Sequence, residues 1–181
     1  MKLEELKSSV LKLLEEYAEN KTDLTDDQDI ALKMNDAINK VLFELSRMKK
    51  ILAKQDITTV INEEYDLKNL SNFYQLKVIK NVEFEQVDNF VTWLEDGIAK
   101  VYYYRYPTFI TDDISDDFTL ELSLDALNIA PIGIAGTILL NTVSDQYGRM
   151  YLNEYEKMLQ RLDSRISDTS ITFGGSGEPS E

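Results

Sequence analysis

Histidine and cysteine are both missing from this chain of 181 residues. Their absence removes the Ser-His-Asp triad, the cysteine nucleophile, thiolate and imidazole metal sites and any disulfide framework. Catalysis is left with carboxylates, Lys, Ser, Thr and Tyr. Compartment stays open, because a chain without thiols suits either redox state. Basic residues are scarce as well: 19 Lys+Arg face 33 Asp+Glu, a formal charge of −14. A field of that sign repels phosphates, which argues against a cationic grip on duplex DNA and against adhesion to an anionic membrane. Only a small local basic patch escapes that exclusion. Long apolar runs are lacking too. The longest, Ile129 to Leu140, is interrupted by Pro131, Gly133, Gly136 and Thr137, and falls short of the roughly 20 residues that span a bilayer. The acidic, amphipathic start, Met1-Lys2-Leu3-Glu4-Glu5-Leu6, has no signal-peptide core. A soluble, intracellularly made protein without membrane contact is expected.

What is present is a 43% apolar composition, enough for one domain with a sizeable core. Leu3, Leu6, Val10, Leu13, Leu14 and Tyr17 recur at helical spacing and predict a helix over residues 1–20. Thr25-Asp26-Asp27-Gln28 has the capping-box pattern and opens a second helix, predicted over 26–53, with Arg47, Lys49, Lys50 and Lys54 as its solvated C-terminal turn. From Asp56 the character changes. Ile57 to Ile61, Phe73 to Ile79, Val91 to Leu94 and Ile98 to Arg105 favour strands, and Asp96-Gly97 between the last two is a hairpin signal. Ser123 precedes a third helix, Leu124 to Asn141, which Pro131 must kink or break. Ser144 precedes a fourth, to about Ile166, and the Gly-rich end reads as a flexible tail. The expected fold is therefore α+β: a bundle of about four helices, formed by 1–55 and 112–167, with a small antiparallel sheet inserted at 56–111 and a tail at 168–181.

Candidate sites follow from composition. Asp112, Asp113, Asp116 and Asp117 form an acidic loop without EF-hand spacing, better read as solvation or a contact surface than as a cation site. Nothing singles out a carboxylate pair for glycoside hydrolysis, and no phosphate loop exists, so no catalytic, cofactor or metal residue is assigned. In Tyr102-Tyr103-Tyr104-Arg105-Tyr106, alternate side chains must face opposite sides of a strand, so Tyr102, Tyr104 and Tyr106 are candidate interface aromatics. Two glycines inside the third helix imply close approach of another backbone, within one subunit before between subunits. Ile171-Thr172-Phe173 is a β-prone triplet in the tail, able in principle to add to a sheet edge elsewhere. Residues 106–148 hold seven acids and no base, half of the net charge.

The second half resembles the head-to-tail connector adaptors of tailed bacteriophages. The likeness lies in Tyr104-Arg105-Tyr106-Pro107, then Ile110-Thr111, an acidic loop and Leu120-Glu121-Leu122 entering a helix with Ala126-Leu127 and Pro131. It continues through Ile134-Ala135-Gly136, Leu139-Leu140, Tyr151, Glu154-Tyr155-Glu156, Leu159 and Leu162, covering roughly Tyr65 to Leu162. It resides in order and spacing; no single motif is specific. Ile132-Gly133 departs from it, since bulkier residues are expected there, and the strand block is larger than a minimal adaptor needs. The resemblance implies a structural virion protein of the neck, without enzymatic activity or cofactor. Such a protein forms a ring, commonly of twelve copies, that docks under the portal, meets a neck or tail protein below and lets DNA pass unbound. It also makes Ile171-Thr172-Phe173 a candidate portal-docking segment and the Asp112 to Asp117 loop a candidate channel wall or inter-subunit rim. Another neck or tail-completion protein, and an acidic DNA mimic that inhibits a DNA-binding enzyme, are the alternatives; a carboxylate-dependent enzyme ranks behind both.

Overall fold

The computed structural model describes residues 1–17, 28–142 and 145–163. Among them are four α-helices, α1 (Leu3–Tyr17), α2 (Gln28–Met48), α3 (Leu124–Thr142) and α4 (Asp145–Asp163). Six strands lie between α2 and α3: β1 (Ile51–Thr59), β2 (Glu64–Asp66), β3 (Phe73–Lys80), β4 (Phe84–Val87), β5 (Phe90–Trp93) and β6 (Gly97–Arg105). A fourfold helical bundle with a β insert is thus the architecture, an α+β fold.

The bundle forms because three helices are amphipathic and one is not. Leu3, Leu6, Val10 and Leu14 of α1 and Ile30, Met34, Ile38, Val41 and Leu45 of α2 are buried in one stripe per helix. α3 is apolar on every side, the mark of a helix that must be enclosed. It lies against α1, α2 and α4, with Ala126, Leu127, Ala130, Ile134, Ala135, Ile138 and Leu139 in the core. Of the two outcomes expected at Pro131, a break does not occur: α3 runs through it as one helix.

Glycines set the distance between α3 and α4. A Cβ on Gly148 would lie 2.5 Å from the Leu140 backbone nitrogen, and one on Gly136 would lie 3.0 Å from that of Leu152. The two backbones therefore approach where those residues stand, and the approach is within one subunit. Gly133, which departs from the adaptor pattern, makes room for the buried Tyr155 ring, whose atoms would lie 2.9 Å from a Cβ there.

The insert corrects three expectations. α2 stops at Met48, and residues 51–53, expected in the helix, begin β1 instead. Ile51 is buried and Ala53 packs against the second core, so pairing with β6 outweighs the helical period that ran on through Leu52. Second, there are two sheets, not one, ordered β1-β6-β3 and β2-β5-β4, each antiparallel. Third, Asp96-Gly97 does not close a β5–β6 hairpin, because those strands belong to different sheets. The Asp96 carboxylate accepts from the Ile61 N–H at 2.7 Å, and Gly97 has no positive φ. The two-residue hairpin is β4–β5, turning at Asp88-Asn89, where Asp88 has φ 53°.

The two sheets face each other across a core of their own. Ile57, Ile79, Ala99, Val101 and Tyr103 of the first meet Val91 and Trp93 of the second, closed by Leu67 and Leu70. The insert begins and ends at neighbouring points, with Ile51 paired opposite Arg105.

Candidate functional site

Alternation along β6 sorts its side chains. Ala99, Val101 and Tyr103 are buried in the insert's core, while Lys100, Tyr102 and Tyr104 lie half-buried on the opposite, outward face. Register brings neighbours to that face: Lys54 lies opposite Tyr102 on β1, and Lys80 lies opposite Lys100 on β3. A register shift between Leu76 and Val78 turns Lys77 to the same side. The Lys50 and Lys77 ammonium groups stand 4.9 and 5.5 Å from the Tyr104 ring centre, and that of Lys80 stands 5.6 Å from Tyr102. These are cation–π distances. The result is a lysine-rich aromatic face in a chain of opposite net charge, with Asp56, 3.1 Å from Lys54, as its acid.

Tyr102 and Tyr104 thus share one open surface. Tyr106 does not join them: it stacks on Phe43 of α2 at 5.3 Å and meets the Tyr74 ring of β3 at a tilt, 4.9 Å between centres, where insert meets bundle. Lys50 and Lys54 are also relocated, from a helix end to the sheet. Sequence reasoning missed this grouping because Lys77 and Lys80 reach Lys100, Tyr102 and Tyr104 only through the pairing of β3 with β6. The available signal was Lys100 at the same strand parity as Tyr102 and Tyr104.

The acidic loop is tied to the start of α1. Lys2 Nζ lies 2.6 Å from Asp117 and Lys7 Nζ 2.8 Å from Asp116, while the Leu3 and Glu4 N–H groups donate to the carbonyls of Phe118 and Asp116. Acids here suit the positive end of the helix dipole. The Asp117 carboxylate holds the Lys2 ammonium above its ordinary pKa. Asp112 accepts from the Asn35 amide at 2.8 Å, and Asp113 is exposed. Lys49 lies 3.9 Å from Asp125. Much of the charge concentrated in 106–148 therefore meets bases carried in from residues 1–105.

A further pair joins insert to bundle. Arg105, last in β6, holds Glu121 through two contacts of 2.7 and 3.3 Å, and Thr108 donates to the same carboxylate from its N–H at 2.8 Å and its hydroxyl at 3.0 Å. Burial alone pushes the Glu121 carboxyl up; the Arg105 and Thr108 hydrogen bonds prevail and hold it below the usual range. On the other side of the bundle, burial, with the Glu44 charge next in size, pushes the Tyr155 hydroxyl well above its ordinary value as it donates to Glu44 at 3.1 Å.

Ile171, Thr172 and Phe173, with the whole stretch 164–181, lie outside the described residues, as does the capping-box residue Thr25. Among the described residues no three acids converge to hold a metal ion, and no helix is long and apolar enough to cross a membrane. Compared with known proteins, the chain matches no family model, and no curated protein is significantly similar to it in sequence.

Proposed function

We propose that this chain is a non-enzymatic virion protein, the head-to-tail adaptor of a tailed-phage neck. In this reading it forms a ring under the portal protein, meets a neck or tail protein below and extends the DNA channel without binding DNA specifically. One observation carries the reading: the residues of the adaptor resemblance coincide with positions that hold this fold together. Leu120, Leu122, Ala126, Leu127, Ile134 and Leu139 are bundle core, Gly136 lies at the α3–α4 contact, and Arg105 and Glu121 form the junction pair. A likeness spread over core and junction is what a shared skeleton produces. The acidic balance fits a conduit, because a basic wall would trap passing phosphates. Within the 112–121 region, Asp116, Asp117 and Glu121 are engaged with Lys7, Lys2 and Arg105, so that stretch does not present the free carboxylates a DNA mimic needs.

The test is co-expression with the portal protein of the same phage, followed by electron microscopy of the purified complex. Rings seated on the portal are expected. A chain that stays monomeric with the portal present, and competes with DNA for a DNA-binding enzyme, refutes the adaptor in favour of the mimic.

A further inference from the structure

The β insert carries opposite charge on its two outer faces. Because its sheets pack face to face, the outward side of β1-β6-β3 and that of β2-β5-β4 point away from each other. The first bears Lys50, Lys54, Lys77, Lys80 and Lys100 against Asp56, around Tyr102 and Tyr104 and the exposed Leu52 and Ile98. On the second, register aligns Glu64, Thr92 and Glu85 in one outward row and Asp66, Phe90 and Val87 in the next. Residues 61–70 and 81–96, which build that layer, hold eight acids and one base, Lys68. Both faces also expose apolar surface: Val87 is 73% and Phe90 43% accessible on the acidic side, Ile98 59% and Leu52 52% on the basic side. Surfaces that are complementary in charge, each also exposing apolar side chains, and set on opposite sides of one module, are the arrangement of a head-to-tail contact.

We propose that the lysine–tyrosine face of the insert docks on the acidic face of the insert in a second copy of this chain. The chain's own acidic sheet is a better occupant than nucleic acid, because a net charge of −14 repels a long polyanion while a neighbouring copy presents a local acidic face, built on strands of three and four residues, that covers part of the basic one. Three strands of up to nine residues present a face of ~30 by ~14 Å, so one contact buries less than a standard interface. It is consequently weak in a pair and salt-sensitive, and gains strength where repeated contacts close a ring. The inference rests on the ring reading for the expectation that copies assemble, and is separable from it.

Sedimentation of the whole chain decides the matter, using Lys77→Glu/Lys80→Glu to reverse the basic face and Glu64→Lys/Glu85→Lys to reverse the acidic one. All four side chains are exposed. The parent should associate at about 50 mM salt, with affinity falling at least about tenfold by about 500 mM. Each variant should be monomeric with an unchanged circular dichroism spectrum. An equimolar mixture of the two should associate again, because the intact lysine face of one variant meets the intact acidic face of the other, and the two reversed faces are complementary as well. A monomeric parent at low salt, association surviving in both variants, or a mixture that stays monomeric overturns the inference. So does loss of binding to a labelled oligo-dT by the lysine variant with association intact, which would assign the face to single-stranded nucleic acid. Rings that persist in both variants on the portal overturn this contact and leave the adaptor reading standing; a parent that never joins the portal, yet shows the charge-swap rescue, does the reverse.

Discussion

Asn39, in the middle of α2, and Ile110, in the segment after the insert, exchange two hydrogen bonds of 2.7 Å. The Asn39 amide nitrogen donates to the Ile110 carbonyl, and the Ile110 N–H donates to the Asn39 side-chain oxygen. Both residues are buried, so one side chain satisfies a stretch of backbone that has no strand beside it. Asn39→Ala strands two buried backbone groups and should cost about 2–4 kcal/mol. Equilibrium urea unfolding checks it; a loss under about 0.5 kcal/mol would mean water replaces the amide without penalty.

Glu121 should make stability depend on acid. Its folded-state pKa lies below the unfolded one, so its contribution is fully present above the unfolded value of about 4.3 and disappears as pH falls through the folded value. Glu121→Gln should therefore unfold more easily than the parent by about 1–3 kcal/mol at neutral pH and converge with it in acid. Urea midpoints measured at steps from neutral to strongly acidic pH check this. A constant gap would show that the Arg105 pair does not cause the effect.

The α3–α4 spacing predicts a contrast between two glycines. Gly148→Ala forces a methyl into the Leu140 backbone and should cost about 2–3 kcal/mol, whereas Gly97→Ala meets Val82 at 3.4 Å and the Thr59 hydroxyl at 3.9 Å, ordinary contacts, and should change stability by less than about 1 kcal/mol. Thermal unfolding of both variants, followed by circular dichroism, separates close approach from a general penalty of substitution.

Replacing Asp112, Asp113, Asp116 and Asp117 by Asn tests the acidic loop. Exposed pairs contribute little to folding, so the variant should keep its fold and lose stability slightly, more at low than at high salt. On the adaptor reading, virion assembly or DNA passage should nonetheless suffer. Unchanged infectivity of phage carrying the variant would reduce the loop to a cap on α1.

α1 and α4 were legible because their periods are strong, and α3 because its apolar run carries no charge after Asp125. α1 and α4 stand close to where Leu and Tyr spacing puts them, α3 where the apolar run after Ser123 puts it, and the burial of Gly133 and Gly136 within one subunit follows from small residues in an otherwise large-residue helix. The end of α2 was not legible. Leu52 continues the helical stripe, and only pairing with Tyr104 on β6, distant in sequence, turns residues 51–53 into strand. Asp96-Gly97 misled for a similar reason: a turn dipeptide reports local freedom, not which sheet each flank joins. The lysine face was hidden because four lysines from three strands, with Lys50 just before β1, converge only through register. So was the pairing of the acidic loop with Lys2 and Lys7, which connects the two ends of the bundle across more than a hundred residues.

The adjacency of Ile51 and Arg105 also shapes how the chain finds its fold. The bundle core requires α1 and α2 to meet α3 and α4 across residues 51–105, and closing a flexible loop of that length costs about 3–4 kcal/mol of chain entropy beyond a constant. A sandwich folded first clips its two ends together, so most of that cost is met locally and the bundle closes as if joined by a short turn. Loosening the sandwich with Trp93→Ala should then slow the bundle's folding, seen as a lower refolding rate in stopped-flow measurements, although Trp93 belongs to the other core. In this chain the β insert is the hinge pin on which the order of assembly turns.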